Sequence, residues 1–167
     1  MHEIFTALDK AQVRYVVVGG LAVILHGHIR LTQDLDLVID LDPVNCRKAL
    51  ETLESIGLKP RLPVVMQDFA DPKKREDWYR NKHMMVFQLW DPKNAQRSID
   101  VFVHEPVKFT DLWHDSIVKV YDGVPIRVAS IAHLIEMKSG THRVRDEDDI
   151  EKLREIQRQM SYSEGRA

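Results

Sequence analysis

The stretch GGLAVILHGHIRLTQDLDL, residues 19–37, decides the fold. It begins with Gly19-Gly20 at the end of a β-branched run and closes with Asp34 and Asp36, the first carboxylates of TQDLDLVID. Successive side chains of a strand point to opposite faces, so Asp34 and Asp36 are predicted to share one face. Leu35 then faces the other side and packs in a core. The sequence therefore predicts a strand with one anionic and one apolar face.

A third carboxylate, Asp100, lies in the later apolar run SIDVFV, where alternation puts Ser98 and Phe102 on its face. Two carboxylates ~4 Å apart repel by on the order of 4 kcal/mol at an effective dielectric near 20, so such a cluster calls for a cation. Magnesium accepts carboxylate oxygens and leaves positions for water and phosphates. A calcium loop is excluded because Ile39 stands where its turn needs glycine. Taken alone, an Asp-x-Asp pair at the end of a strand is more often a solvated edge than a metal site.

The glycine pair is predicted to be a turn that leads directly into a helix. Backbone N–H groups and the positive end of the helix dipole attract anions there, and glycine allows a phosphate to approach closely. Tight turns also use glycine for conformation alone. The position of Gly19 and Gly20, between one strand and the carboxylates of the next, favours the phosphate interpretation.

Outside this stretch the hydrophobic pattern predicts alternating helices and strands. The first sixty residues are predicted to be α-β-α-β-α. After them we expect, in order, a short strand or loop, a helix around 73–80, strands at 83–90 and 98–103 joined by DPKNAQ, a hairpin of 116–121 with 125–128, and helices at 130–140 and 148–159.

Length and composition predict one soluble domain over residues 1–167, with a helical C-terminal segment from about residue 130. The net charge of −2 gives no overall field to attract nucleic acid, so a polyanionic partner needs a local patch. The longest apolar stretch, 15–25, is too short to span a membrane. Cys46 is the single cysteine and is predicted to be a small core residue. With no secretory signal at the start, we expect a cytoplasmic protein without a membrane segment.

Two further clusters contain residue types that bind ligands. His26 and His28 lack the spacing of a helical zinc site. The segment 73–82, which holds Lys73-Lys74-Arg75 followed by Trp78 and Tyr79, mixes basic and aromatic residues as an RNA-binding surface does, and the alternative is a solvated charged helix.

The glycine pair, the Asp-x-Asp and the third carboxylate together resemble the nucleotidyltransferase superfamily. The resemblance implies an α+β (α/β) fold of the DNA polymerase beta-like type, a mixed sheet flanked by helices. Within the superfamily the chain is most similar to minimal nucleotidyltransferase-like proteins related to abortive-infection and toxin–antitoxin toxins. The residues that fit their motifs are Arg30, Thr32, Asp34, Asp36, Lys138, Arg143, Asp146, Asp149 and Ile150, with Arg145 where that pattern prefers lysine.

This resemblance implies a magnesium-dependent enzyme that moves a nucleoside monophosphate from ATP or another nucleoside triphosphate (NTP) to a hydroxyl. Asp34, Asp36 and Asp100 would hold two Mg²⁺ ions, with Asp100 as proton acceptor. Lys138 would meet the leaving pyrophosphate as a mobile point charge, whereas without the resemblance it would be a solvated residue of a surface helix. The other residues implied to bind the NTP are Gly19, Gly20, Arg30, Thr32 and Arg145.

The acceptor stays open at this level. RNA such as tRNA, a protein, and an antibiotic-type small molecule can all use the same donor chemistry. A toxin–antitoxin role would add a cognate antitoxin as partner. A different class of function is a non-catalytic nucleotide-binding or antitoxin-like module, whose sign would be a decayed carboxylate triad, and here all three carboxylates are present.

Overall fold

Helices and strands alternate along most of the chain, which a computed structural model describes for residues 1–141 and 143–164. The helices are α1 (His2–Lys10), α2 (Gly19–Leu25), α3 (Pro43–Ser55), α4 (Pro72–Lys82), α5 (Phe109–His114), α6 (Ile131–Ser139) and α7 (Val144–Glu164), with a 3₁₀ helix at Met66–Ala70. The strands are β1 (Tyr15–Val18), β2 (Leu35–Ile39), β3 (Lys59–Pro60), β4 (Val86–Asp91), β5 (Asn94–Phe102), β6 (Ile117–Tyr121) and β7 (Val124–Val128).

The strands form one seven-stranded mixed sheet in the order β3-β4-β5-β2-β1-β7-β6. The neighbours β1 and β7, and likewise β2 and β5, run parallel, and the remaining pairs are antiparallel. Helices lie on both faces of the sheet, and α6 and α7 form the C-terminal segment. The predicted mixed sheet with flanking helices is confirmed.

Local sequence explains where several elements begin and turn. The carboxylate of Asp42 caps α3 by accepting hydrogen bonds from the N–H groups of Val44 and Asn45. Both residues of the β6–β7 turn, Asp122 and Gly123, have positive φ, of 47° and 83°. That is the geometry a tight two-residue hairpin needs, so this predicted hairpin is also confirmed.

One face of the sheet is an apolar core. Leu35 and Leu37 are fully buried on it, as alternation predicted. Aromatic contacts attach helices to this face: Phe5 of α1 stacks on Tyr15, with ring centroids 6.3 Å apart, and Trp78 of α4 stacks on Phe87 at 5.4 Å. The opposite face, which carries the carboxylates, is left for α2 and α6.

Several details differ from the predicted elements, and β4 for example begins at Val86 rather than at residue 83. The DPKNAQ turn is shorter than expected, because β5 begins at Asn94, which pairs with Asp91. Strand β2 pairs only with residues 99–101 of β5, so the first residues of β5 extend beyond β2. Apolar side chains are not needed in that part of β5, and the sequence there lacks the alternation that predicts a strand. Helix α5 was not predicted, and α7 begins at Val144, four residues before the predicted start.

No helix within residues 1–141 and 143–164 combines the length and the apolarity that crossing a membrane requires.

Candidate active site

A cleft of about 580 Å³ opens on the carboxylate-bearing face, where β1 ends and β2 begins. It brings together every residue that the sequence singled out for metal or nucleotide binding, although these come from separate segments of the chain. Those lining residues are Gly19, Gly20, Arg30, Thr32, Asp34, Asp36, Asp100, Lys138 and Arg145.

The three carboxylates meet because of strand register. Asp36 and Asp100 are direct neighbours across the parallel pair β2–β5, and such strands lie ~4.8 Å apart. Asp34 stands immediately before β2 and lines the same cleft. On the other side of β2, Asp36 is paired with Val18, so the glycine turn that follows Val18 lies beside the carboxylates.

Each carboxylate is oriented by a different donor. The Ser98 hydroxyl donates to Asp34 Oδ1 at 2.7 Å, and the Gln88 side-chain amide donates to Asp100 Oδ1 at 3.0 Å. The N–H of Gly20 donates to Asp36. Ser98 was predicted on the face of Asp100, whereas nothing in the sequence signalled Gln88, because its register opposite Asp100 depends on the β4–β5 pairing.

Burial and mutual repulsion make Asp36 and Asp100 resist ionisation. Burial, followed by the charge of Asp100, raises the pKa of Asp36 to about 7, with a smaller contribution from Asp34. Burial also raises the pKa of Asp100, against the hydrogen bond from Gln88. A buried anionic cluster of this kind is stabilised by a cation.

The glycine pair makes room for its neighbours. Gly19 has φ +63°, and a Cβ on it would lie 2.0 Å from a carboxylate oxygen of Asp36. A Cβ on Gly20 would lie 2.4 Å from Arg30 Nη2 and 2.5 Å from the Thr32 hydroxyl. The glycines are therefore required for close packing of the site itself, and the Gly20 amide is already used by Asp36.

We expect Gly19→Ala to damage stability and the site together. Positive φ alone costs an alanine about 1–2 kcal/mol, and the new methyl group must also displace the Asp36 carboxylate. Gly57→Ala is the matched control, because Gly57 has φ +90° but a Cβ added there would meet nothing within 4 Å. Thermal denaturation should show loss in both variants, while activity falls only in Gly19→Ala. Equal activity in the two would contradict the packing role.

The wall opposite the carboxylates is a buried network of ion pairs. Lys138 is only 8% exposed, and its Nζ lies 2.7 Å from Asp146 Oδ1 and 2.7 Å from Asp149 Oδ2. Asp149 is fully buried and its other oxygen lies 3.1 Å from Arg30 Nε. The expectation of Lys138 as a solvated or mobile charge is wrong, since two carboxylates of α7 hold it in place.

His28 joins the same network from the loop after α2. Its Nε2 lies 3.4 Å from Asp148 Oδ2 and 3.9 Å from Asp149 Oδ1, and one ligand atom from each of these three residues falls within 4.8 Å of the others. The spacing would admit a metal ion. However, Asp149 is already neutralised by Arg30 and Lys138, so the cluster is better described as part of the ion-pair network.

The cleft has further walls that sequence reasoning did not assign to binding. Arg143 adds a second arginine beside Arg145, and an apolar side is formed by Phe102, Leu134 and Met137. Phe102 was recognisable from its position on the face of Asp100. The other two carry no signal, because apolar residues at helical spacing are normally core.

The basic, aromatic segment 73–82 lies elsewhere. It forms most of α4, whose Trp78 is buried against Phe87 on the apolar face. Arg75 is buried as well and donates to the Phe69 carbonyl, while Arg80 pairs with Glu76 within the helix. The basic residues and Trp78 therefore do not form one surface, because Trp78 belongs to the core and α4 covers the sheet face opposite the cleft. Contact of this segment with RNA stays a prediction.

Comparison with known proteins identifies the family. A family model described as "Nucleotidyltransferase of unknown function (DUF6036)" matches residues 1–161. A search among curated proteins gave no significant match.

Several solved structures share the fold. The lincosamide antibiotic adenylyltransferase LnuA, bound to lincomycin, aligns with a TM-score of 0.60 at 20% identity, covering 93% of this chain and 96% of LnuA. ANT(2'')-Ia, in complex with adenylyl-2''-tobramycin, aligns at 0.55 and 14% identity over 99% of this chain and 96% of its own. An antigenic nucleotidyltransferase-like protein from Paracoccidioides brasiliensis aligns at 0.54 and 15% identity, over 93% and 75% respectively.

Proposed function

The chain belongs to the nucleotidyltransferase family DUF6036, and from that premise we propose that it transfers a nucleoside monophosphate from ATP or another NTP to a hydroxyl acceptor, with Mg²⁺. The observation that carries the proposal is the register of Asp36 against Asp100, with Asp34 in the same cleft. Three carboxylates held together beside buried cations suit a reaction in which a polyphosphate is bound and cleaved.

The residues present fit divalent metal ions. The donor set consists of carboxylate oxygens, which hard cations such as Mg²⁺ prefer. Burial, and after it the charge of Asp100, raise the pKa of Asp36, so a cation bound there would stabilise its ionised form. We propose that Asp34, Asp36 and Asp100 hold two Mg²⁺ ions. When bound, such a pair polarises the phosphate and stabilises the attacking and leaving oxygens.

The bond changes follow from nucleotidyl transfer. The acceptor hydroxyl oxygen forms a bond to the α-phosphorus, the bond from that phosphorus to the oxygen bridging to the β-phosphate breaks, and pyrophosphate leaves with the electron pair. The hydroxyl proton goes to Asp100, whose carboxylate lies in the cleft beside Asp36. Gln88 keeps the Asp100 carboxylate turned in one orientation.

The triphosphate is proposed to bind at the wall opposite the three carboxylates, where the cations of the cleft lie. We propose that Arg30, Lys138 and Arg145 face the β- and γ-phosphates, and that Gly19 and Gly20, with Thr32, shape the side of the cleft next to them. Lys138 is held by Asp146 and Asp149 rather than mobile, so its charge is positioned before the nucleotide arrives.

The acceptor is proposed to be RNA such as tRNA, or a protein, and a toxin–antitoxin role would add a cognate antitoxin. A second candidate is a small hydroxylated antibiotic. It is favoured by the neighbours, since LnuA is a lincosamide adenylyltransferase and ANT(2'')-Ia was captured with adenylyl-2''-tobramycin. Both candidates use the same donor site.

Incubation with each α-labelled NTP, Mg²⁺ and a cell extract tests the proposal. We expect label to pass to one acceptor class, RNA, protein or small molecule, with release of pyrophosphate, and we expect no transfer in the presence of a chelator. Absence of any labelled acceptor and of pyrophosphate release with all four nucleotides would refute nucleotidyl transfer.

Stability of the metal-free protein should depend on pH through Asp36. Its pKa of about 7 in the folded chain lies above the ordinary 3.8, so the folded state binds the proton more tightly. This contribution is fully present below pH ~4 and is lost as pH rises through about 7. In chelator, Tm should fall over that window more in the wild type than in Asp36→Asn, and Mg²⁺ at pH 8 should restore it in the wild type. Parallel pH curves for the two proteins would contradict the assignment.

A further inference from the structure

The carboxylate-bearing face of the sheet continues beyond the cleft over β5, β4 and β3, and this part is open. In β4 the side chains on this face, Val86, Gln88 and Trp90, are partly exposed, whereas Phe87 and Leu89 on the opposite face are buried. A sheet face beside the three carboxylates is thus accessible to a second substrate.

Two cations and an aromatic ring stand on this open part. Register places Lys59 opposite Trp90. Arg61, two residues further, donates from Nη1 to Gln88 Oε1 at 3.2 Å, and its guanidinium carbon lies 5.8 Å from the centroid of the Trp90 ring. Lys59 and Arg61 are both exposed. We call Lys59, Arg61, Gln88 and Trp90 the acceptor face.

A chain of hydrogen bonds joins this face to the catalytic carboxylates. Arg61 donates to Gln88, and the amide of Gln88 donates to Asp100 Oδ1 at 3.0 Å. An acceptor whose phosphate is bound at Arg61 would therefore place the hydroxyl next to that phosphate near Asp100, the proposed proton acceptor.

Charge selects among the acceptor classes. The cations Arg30 and Lys138 lie on the other wall, where the triphosphate is proposed to bind, so the acceptor face has its own positive charge in Lys59 and Arg61. A polyamine antibiotic such as tobramycin would be repelled there, whereas a phosphate next to the reacting hydroxyl would be attracted. Cations that follow a backbone, beside an aromatic ring on which a base stacks, are what single-stranded nucleic acid requires.

We propose that the acceptor face binds the 3′ end of a single-stranded RNA, with a backbone phosphate at Lys59 and Arg61 and a base on Trp90. The proposal rests on the proposed nucleotidyl transfer. In that reaction the terminal 3′-hydroxyl oxygen bonds to the α-phosphorus of the NTP, pyrophosphate leaves, and the hydroxyl proton goes to Asp100. The product is an RNA longer by one nucleotide.

Binding of a 5′-fluorescein-labelled single-stranded RNA oligonucleotide to the whole chain, followed by anisotropy, tests the surface without requiring turnover. Lys59→Ala with Arg61→Ala should raise Kd at least about tenfold and reduce the log–log salt slope by about 1.4, since each phosphate contact on a single strand contributes about 0.7. Trp90→Ala should raise Kd about tenfold through loss of stacking. The matched control is Arg80→Ala with Lys82→Ala, which removes two exposed cations from α4 on the other face and should leave Kd within about twofold.

The outcomes separate this inference from the proposed function. Equal weakening by the control pair, or no saturable RNA binding by a chain whose Tm is normal, overturns the acceptor face as an RNA site. If RNA is not bound and label from the NTP passes to protein or to a small molecule, the inference falls while nucleotidyl transfer stands. If RNA binds and depends on Lys59 and Arg61, yet no acceptor of any class is labelled, nucleotidyl transfer falls and the RNA-binding surface remains.

Discussion

Replacement of Asp34 and Asp36 by asparagine together should lower nucleotidyl transfer by at least about 10³-fold, which corresponds to ~4 kcal/mol of lost transition-state stabilisation. Asparagine keeps the shape of each side chain but removes the charge that holds a divalent cation. The variant should fold, and in chelator it should be at least as stable as the wild type, because burial and the charge of Asp100 disfavour ionised Asp36. Activity is measured as label transfer at saturating NTP and Mg²⁺, and folding by circular dichroism and Tm.

Ser98→Ala provides a graded comparison for this loss. Ser98 donates to Asp34 Oδ1 at 2.7 Å and so orients the carboxylate without supplying charge. A hydrogen bond to a charged group contributes roughly 1.5–3 kcal/mol. We expect its loss to reduce transfer by about tenfold, at the lower end of that range, because Asp34 keeps its charge. Near wild-type turnover in the Asp34→Asn, Asp36→Asn protein would remove these carboxylates from the mechanism.

Replacement of Asp149 by alanine should have the largest effect on stability. The fully buried carboxylate faces Lys138 at 2.7 Å and Arg30 at 3.1 Å, so its removal leaves two poorly exposed cations without a shared partner. Breaking a buried pair in this way costs about 3–5 kcal/mol. Chemical denaturation measures the free energy of unfolding directly.

Asp148→Ala is the matched control for that experiment. Asp148 is the neighbouring residue on α7, its side chain is 58% exposed, and it approaches only His28, at 3.4 Å, among the ion pairs of the described chain. Exposed pairs contribute at most about 1 kcal/mol, so this variant should unfold nearly as the wild type does. Similar free energies of unfolding for the two alanine variants would show that the network around Asp149 is not a determinant of stability.

Much of the fold was predictable because its signals are local. The alternation of Leu35 and Leu37 with Asp34 and Asp36 predicted a two-faced strand, and the structure buries both leucines. Asp122-Gly123 predicted the hairpin because few residues adopt the backbone that a tight turn requires. The α5 helix was missed, since a six-residue helix offers less than two turns of periodicity.

Segment 73–82 shows what composition alone does not determine. Basic and aromatic residues in sequence suggested one exposed surface, but on α4 they divide between faces, and Trp78 turns inward while Lys73 and Lys74 stay exposed. A helix distributes neighbouring residues around its axis, so composition alone cannot say which of them reach solvent together.

The sequence by itself determined the two-faced strand and the identity of the three carboxylates, because these depend on residue types at fixed spacing along the chain. The same residues carry the resemblance to nucleotidyltransferases, and that resemblance implied the mixed sheet. Only the tertiary structure decided that Asp36 stands directly opposite Asp100, that Lys138 is held by Asp146 and Asp149, and that Gln88 links Arg61 to Asp100. Each of these contacts joins different elements of the fold. Their physical basis is strand register and the docking of α7 against α6, which depend on packing of the whole core rather than on any local pattern.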